Sequence, residues 1–269
     1  MNTKVNDEAR LVEVETQGAI ATITLNRPEK RNALSLPMVR QLRECFEALP
    51  GSVRVAILAG AGPHFSAGLD LSELSEASSA DGIQHSMTWY EAFSKIQFGR
   101  VPVICVLQGA VVGGGLELAS SAHVRVAEES AYFGLPEGQR GIFLGGGGSV
   151  RVTKLIGFSR VTEMMLTGHV VSASEGYVIG LAHYVTPAGE GMRKARELAE
   201  RIAGNAPLSN FAIMQALPLI AEQPMSHGLM TEALMAAITQ NAPEAKDRVN
   251  AFLDKRAAKI GAPDPKTGE

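Results

Sequence analysis

A chain of 269 residues with 45% hydrophobic content is long enough to bury a sizeable core, as one large domain or two small ones. Its 25 Lys and Arg against 28 Asp and Glu give a formal charge of -3, which excludes the basic footprint of a nucleic-acid binder and a polybasic membrane patch. The N-terminal residues lack the apolar segment of a signal sequence, no stretch approaches the roughly 18 apolar residues of a membrane span, and Cys45 and Cys105 lie in apolar segments that suit reduced core thiols, so a soluble cytoplasmic protein handling a small molecule is expected.

In chain order, Leu11 to Glu15 and Ala19 to Leu25 alternate with period two around Gln17-Gly18, the pattern of a β-hairpin. Ser35 can cap a helix in which Val39, Leu42, Phe46 and Leu49 recur at helical spacing until Pro50-Gly51 stops it. Val53 to Leu58 reads as the next strand, and Phe65-Ser66-Ala67-Gly68 brings small residues where a backbone can approach a ligand closely. Helical spacing resumes from Ile83 to Phe98, with Met87, Trp89, Tyr90 and Phe93 as candidates for a pocket wall. Val103 to Leu107 is a buried strand by its β-branched apolar run, and the glycines at 113 to 115 turn it into a short apolar helix. Val124 to Ala127 and Ala131 to Phe133 follow as short strands, with a helix from Gly147 to Ile156. Helices then predominate over 159–167, 173–180, 189–204, 207–221, 226–240 and 243–257. This interleaving predicts an α/β core over residues 1–187 that carries the active site, with a helical region over 188–269 in the same structural unit.

Two carboxylates stand out. Glu117 lies between Leu116 and Leu118 in the first turn of the helix after the glycines, and Glu137 follows Leu135-Pro136; charged side chains are seldom placed in such apolar company without a task. Two carboxyl groups converging on one pocket can hold a water molecule and divide acid and base duties. Other chemistries lose their usual signals. Leu118 stands where a dinucleotide-binding turn needs its last glycine, the glycines at 145 to 148 lack the Lys-Ser/Thr of a phosphate loop, and no Gly-x-Ser-x-Gly or His-Glu-x-x-His occurs. The six histidines show no metal-ligand spacing.

Leu25 to Leu34 (Leu-Asn-Arg-Pro-Glu-Lys-Arg-Asn-Ala-Leu), Phe65 to Leu71, Gly113 to Ala119, Phe133 to Glu137 with the glycines at 145 to 148, and Phe252 to Arg256 together resemble the crotonase, or enoyl-CoA hydratase/isomerase, superfamily, in its two-glutamate hydratase branch. The resemblance runs from about Leu11 to Arg256. It implies a right-handed β-β-α superhelix whose C-terminal helices mediate trimer formation, with two trimers often stacked. It implies hydration of a 2-enoyl-CoA to the 3-hydroxyacyl-CoA by Glu117 and Glu137, with the thioester oxygen held by the backbone N–H groups of Leu69 and Gly114. Coenzyme A, as part of the substrate, would be met by Arg31 near its phosphates, by Ala67, by the main chain of Leu69, Asp70 and Leu71, and by Lys255, and no metal or redox cofactor is implied. A Δ3,Δ2-enoyl-CoA isomerase, another crotonase-type lyase or hydrolase, and a non-catalytic acyl-CoA binder are the alternatives; retention of both glutamates favours hydration. The sequence departs from the commoner hydratase pattern at Arg140, where an aliphatic residue is usual, and at Leu144, where proline is usual. Four glycines without that proline predict a loosely constrained loop, and an arginine near the acyl end could meet a carboxylate or other polar group.

Overall fold

The computed structural model describes residues 10–73 and 78–254. The chain divides after Gly204 into two compact units. In the first, β1 (Val12–Gln17) and β2 (Ile20–Leu25) form the expected antiparallel hairpin, turned at Gly18 with φ 60°. They open a six-stranded sheet of order β1-β2-β3-β4-β6-β9, completed by β3 (Val55–Gly60), β4 (Val103–Leu107), β6 (Val124–Glu128) and β9 (Tyr184–Thr186), parallel from β2 onward. A second sheet joins β5 (Ala110–Val112), β7 (Tyr132–Gly134) and β8 (Val170–Ser172). Each passage β4-β5 and β6-β7 gives one strand to each sheet and then a helix, so β4 pairs β6 and β5 pairs β7 in parallel register. This is the β-β-α superhelix that the resemblance implies.

Both faces of the large sheet are covered, which is why β3 and β4 read as unbroken apolar runs rather than alternating ones. Ala56 and Leu58 enter a core with Met38, Val39 and Leu42 of α1 (Leu36–Glu47) and with Trp89, Phe93 and Ile96 of α2 (Ser79–Gln97), while Val55, Ile57 and Ala59 pack in a second cluster with Ala195, Leu198 and Ala199 of a further helix. Ser35 caps α1 as its position predicts, its hydroxyl accepting from the Met38 N–H. The remaining helices of this unit are α3 (Gly114–Ser120), α4 (Glu137–Arg140), α5 (Gly148–Ile156), α6 (Phe158–Thr167), α7 (Ala173–Ile179) and α8 (Gly191–Ala203). The apolar stripe of α8 closes the second face of the sheet, so the division falls one helix later than the sequence boundary of 187/188.

Three imidazoles take up strand-end N–H groups. Nδ1 of His123 accepts from Val103 at the start of β4, Nδ1 of His64 from Ala110 at the start of β5, and Nδ1 of His183 from Arg125 in β6, each at 3.0 Å. Burial depresses the pKa of His123 and, with the neighbouring Arg125 charge, that of His183 to about 4.

The second unit contains α9 (Pro207–Glu222), α10 (Met225–Asn241) and α11 (Pro243–Leu253). Pro207 and Pro243 open their helices where a missing N–H costs nothing. No helix among the described residues is long and apolar enough to cross a membrane.

Candidate active site

The site is assembled on the segment Ser66 to Leu69, which runs beside two other stretches of chain. Ser66 bridges Val111, its N–H donating to the Ala110 carbonyl and its carbonyl accepting from Val112; Leu69 bridges Leu34, whose N–H donates to Gly68 and whose carbonyl accepts from Asp70. These bonds use the groups on either side of the Leu69 N–H and leave that N–H without an intrachain acceptor among the described residues. Gly114 begins α3, so its N–H has no carbonyl one turn back to donate to. The two N–H groups are neighbours: a methyl at Gly68 would lie 3.1 Å from Gly114 N, and one at Gly114 would lie 3.3 Å from Leu69 N and 2.7 Å from Trp89 Cζ3. Glycine at 114 is thus required by the indole packed on it.

Glu117 is only 3% exposed. The sequence places it beside the free N–H groups of its own helix; the structure instead sends its carboxylate to the start of α5, where Oε1 accepts from Gly146 and Gly148 at 2.8 Å each. Burial raises its pKa, while those two N–H groups and the nearby Arg151 charge favour the ionised form. The glycine loop is consequently not the loosely constrained element its composition predicts. A methyl at Gly148 would lie 2.5 Å from Glu117 Cγ, Gly147 has φ 93°, and the Gly146 carbonyl accepts from Arg151 Nη1 at 3.0 Å, with Arg151 Nε donating to Gln97 Oε1 at 2.6 Å. Glycine is needed here for close approach to a carboxylate, and hydrogen bonds supply the rigidity that proline would otherwise give.

Glu137 opens α4 after Pro136 and is 6% exposed; a methyl at Gly113 would stand 2.8 Å from its Oε1, and its Oε2 is buried without a hydrogen-bond partner among the described residues. Burial first, then the Glu117 charge, push its pKa up to about 7, against the opposing pull of its own N–H and of Arg140. Burial favours the protonated form of both carboxyl groups, and two such groups facing one cavity are the arrangement expected of an acid–base pair. They line a cavity of about 230 Å3 with Leu69, Gly114, Trp89 and Arg140.

The other expected site residues divide. Ala67, Leu69 and Leu71 line the cavity. Arg31 is exposed in a left-handed turn (φ 51°) whose carbonyl accepts from Ala67 N–H, a turn held by buried Asn32, whose side chain accepts from Arg27 N–H and donates to the carbonyls of Ala61 and His64. The Asp70 carboxylate is committed to Ser72 Oγ and Arg27 Nη1, both at 2.6 Å, and these bonds hold its pKa at about 2; only its backbone is left for a ligand. Lys255 lies outside the described residues. From α2 the cavity is lined by Gly82, His85, Ser86 and Trp89, whereas Met87 and Tyr90 are exposed elsewhere on the helix and Phe93 is buried in the core. The apolar spacing of α2 could not find a lining face that includes a histidine and a serine. Nor could it nominate Arg151 or Gln97, whose roles depend on a loop about 50 residues away from Gln97.

Comparison with known proteins fits this geometry. Residues 15–262 match the family described as enoyl-CoA hydratase/isomerase. The short-chain-enoyl-CoA hydratase of Clostridium acetobutylicum is 31% identical over 93% of this chain and 97% of its own length, and the 2,3-dehydroadipyl-CoA hydratase of Escherichia coli K12 is 33% identical over 90% and 95%. The crystal structure of a Rhodopseudomonas palustris CGA009 protein, inferred to be an enoyl-CoA hydratase, superposes with a TM-score of 0.89 at 54% identity, covering 93% of this chain and 97% of that one. The chain belongs to the enoyl-CoA hydratase/isomerase family, the crotonase superfamily. It is an enzyme of the lyase type.

Proposed function

We propose that Glu117 and Glu137 are the acid–base pair of a hydration reaction. The chain is an enoyl-CoA hydratase, adding water reversibly across the double bond of a 2-enoyl-CoA. The observation that carries the residue roles is the meeting, in one cavity, of two buried carboxyl groups with two backbone N–H groups that lack intrachain acceptors among the described residues. The thioester oxygen accepts from the N–H groups of Leu69 and Gly114, which stabilise the negative charge that grows on it. Glu117, whose ionised form is supported by the Gly146 and Gly148 N–H groups and the Arg151 charge against the upward push of burial, takes a proton from water as the water oxygen bonds to the β-carbon. The electron pair of the double bond passes toward the thioester, and Glu137, which holds its proton to about pH 7, delivers it to the α-carbon. Both additions come from one side, a syn hydration. This chemistry needs no metal or redox group, and coenzyme A enters as part of the substrate. Along its length we assign contacts to Arg31, Ala67, Leu69, Leu71, the Asp70 backbone and Lys255. Loss of the conjugated-thioester absorbance of 2-enoyl-CoA esters, crotonyl-CoA among them, on mixing with the enzyme tests the reaction; a band that persists with every ester at any enzyme concentration would refute it.

The protein is further proposed to be cytoplasmic and to work as a trimer or a dimer of trimers. Support comes from α9 and α10, which leave Phe211, Ile213, Leu217, Leu229, Met230 and Leu234 more than half exposed, large apolar side chains on two successive helices that association would bury. Met214, by contrast, is buried within its own chain. Sedimentation at micromolar concentration is expected to give a species of three or six chains; a 28.5 kDa monomer alone would rule it out.

A further inference from the structure

Arg140 is the one cationic side chain, histidine aside, among the described residues that line the cavity. Glu137 and Arg140 are the first and last residues of α4, three apart and so on the same side of the turn, with a rise between them of roughly 4.5 Å. They form no ion pair: Glu137 Oε2 has no partner, and the guanidinium makes no hydrogen bond or salt bridge among the described residues. Among the described residues the cavity offers no other acid except Glu117, whose Oε1 is occupied by Gly146 and Gly148. Beside Arg140 the wall is apolar, with Ile142 and Phe143. A guanidinium bordering an apolar wall, one helical turn beyond the proton donor and uncommitted to any carboxylate among the described residues, has the chemistry of a fork for a planar anion.

Resting on the hydratase reading above, we propose that Arg140 recognises a carboxylate at the far end of the acyl group, so that the preferred substrate class is an enoyl-CoA whose acyl chain ends in a carboxylate. An acyl chain placed with its α-carbon against Glu137 continues along α4 toward the guanidinium. Arg140 is exposed at the cavity's edge, so beside a plain alkyl chain its guanidinium keeps only water as a partner, whereas a terminal carboxylate gives it a charged one.

The test compares kcat/KM for 2,3-dehydroadipyl-CoA and crotonyl-CoA in the wild type, Arg140→Leu and Arg140→Lys. The ratio of the two substrates is the decisive reading, because the Arg140 charge also acts on Glu137, and that effect is common to both substrates and cancels. The wild type is expected to prefer the carboxylated substrate. Arg140→Leu should lower the ratio by about tenfold to a hundredfold, mainly through KM, and Arg140→Lys should restore part of it. An unchanged ratio overturns the proposal, whatever happens to the absolute rates. Crotonyl-pantetheine separates the other source of anionic charge: if Arg140→Leu weakens both CoA substrates equally and spares the pantetheine ester, the guanidinium binds a CoA phosphate and the proposal falls. A wild type inert toward both CoA substrates would refute the hydratase reading itself, a distinct outcome.

Discussion

Glu137→Gln is expected to lower kcat for hydration of crotonyl-CoA by about a hundredfold to ten-thousandfold, the usual contribution of a positioned general acid, while the chain still folds. The amide keeps the shape of the carboxyl but has no proton to give to the α-carbon. In the wild type, the hydration rate should fall as pH rises through about 7, where Glu137 loses its proton. Stability follows the same group with a definite sign. Its folded pKa lies above the ordinary 4.5, so the stability linked to it is full below about 4.5 and is lost as pH rises through about 7. Glu137→Gln has no such loss, and its melting temperature should gain on that of the wild type between pH 5 and pH 8. Wild-type turnover in the variant would remove Glu137 from the reaction, and a constant melting difference across that range would show that its carboxyl is not strained by burial.

Gly114→Pro should cost about a hundredfold to a thousandfold in kcat, the loss typical of one oxyanion-hole donor, because proline has no N–H to offer the thioester oxygen. Alanine is not a silent control here. Its methyl would press on the Trp89 ring at 2.7 Å, so Gly114→Ala should also lose activity, though less than proline, since the N–H remains. Melting curves identify variants that fail to fold, and a folded proline variant with the activity of the alanine one would strip Gly114 of this role.

The hairpin, α1, the buried strands and the run of C-terminal helices were legible because each is long enough for its period to show. β5, β8 and β9, at three residues each, are not; they exist because the chain winds so that one short segment per turn meets the last. Glu117 and Glu137 were readable as charges out of place in apolar sequence. What held them was not. The N–H groups of Gly146 and Gly148 carry no side chain, and the Arg151–Gln97 bond joins residues 54 apart. Asp70, expected to meet coenzyme A through its main chain, has its side chain occupied by Arg27 and Ser72, a commitment the sequence does not show.

The imidazoles at the strand ends give the molecule a weakness unrelated to its chemistry. His183 can accept from Arg125, and His123 from Val103, only while Nδ1 bears no proton. With its folded pKa depressed to about 4 from the usual 6.5, His183 supports the fold fully above about 6.5, and that support drains away as pH falls toward 4. The fold therefore contributes to the acid flank of an activity–pH curve and not to the alkaline one. The alkaline flank reports a proton missing from the cavity and should reverse at once on returning to neutral pH with the circular dichroism unchanged. The acid flank has two sources, protonation of Glu117, which removes the base with the fold intact, and protonation of His183, which costs its bond to Arg125 in β6; circular dichroism separates them, since only the second should lower secondary structure along with the rate.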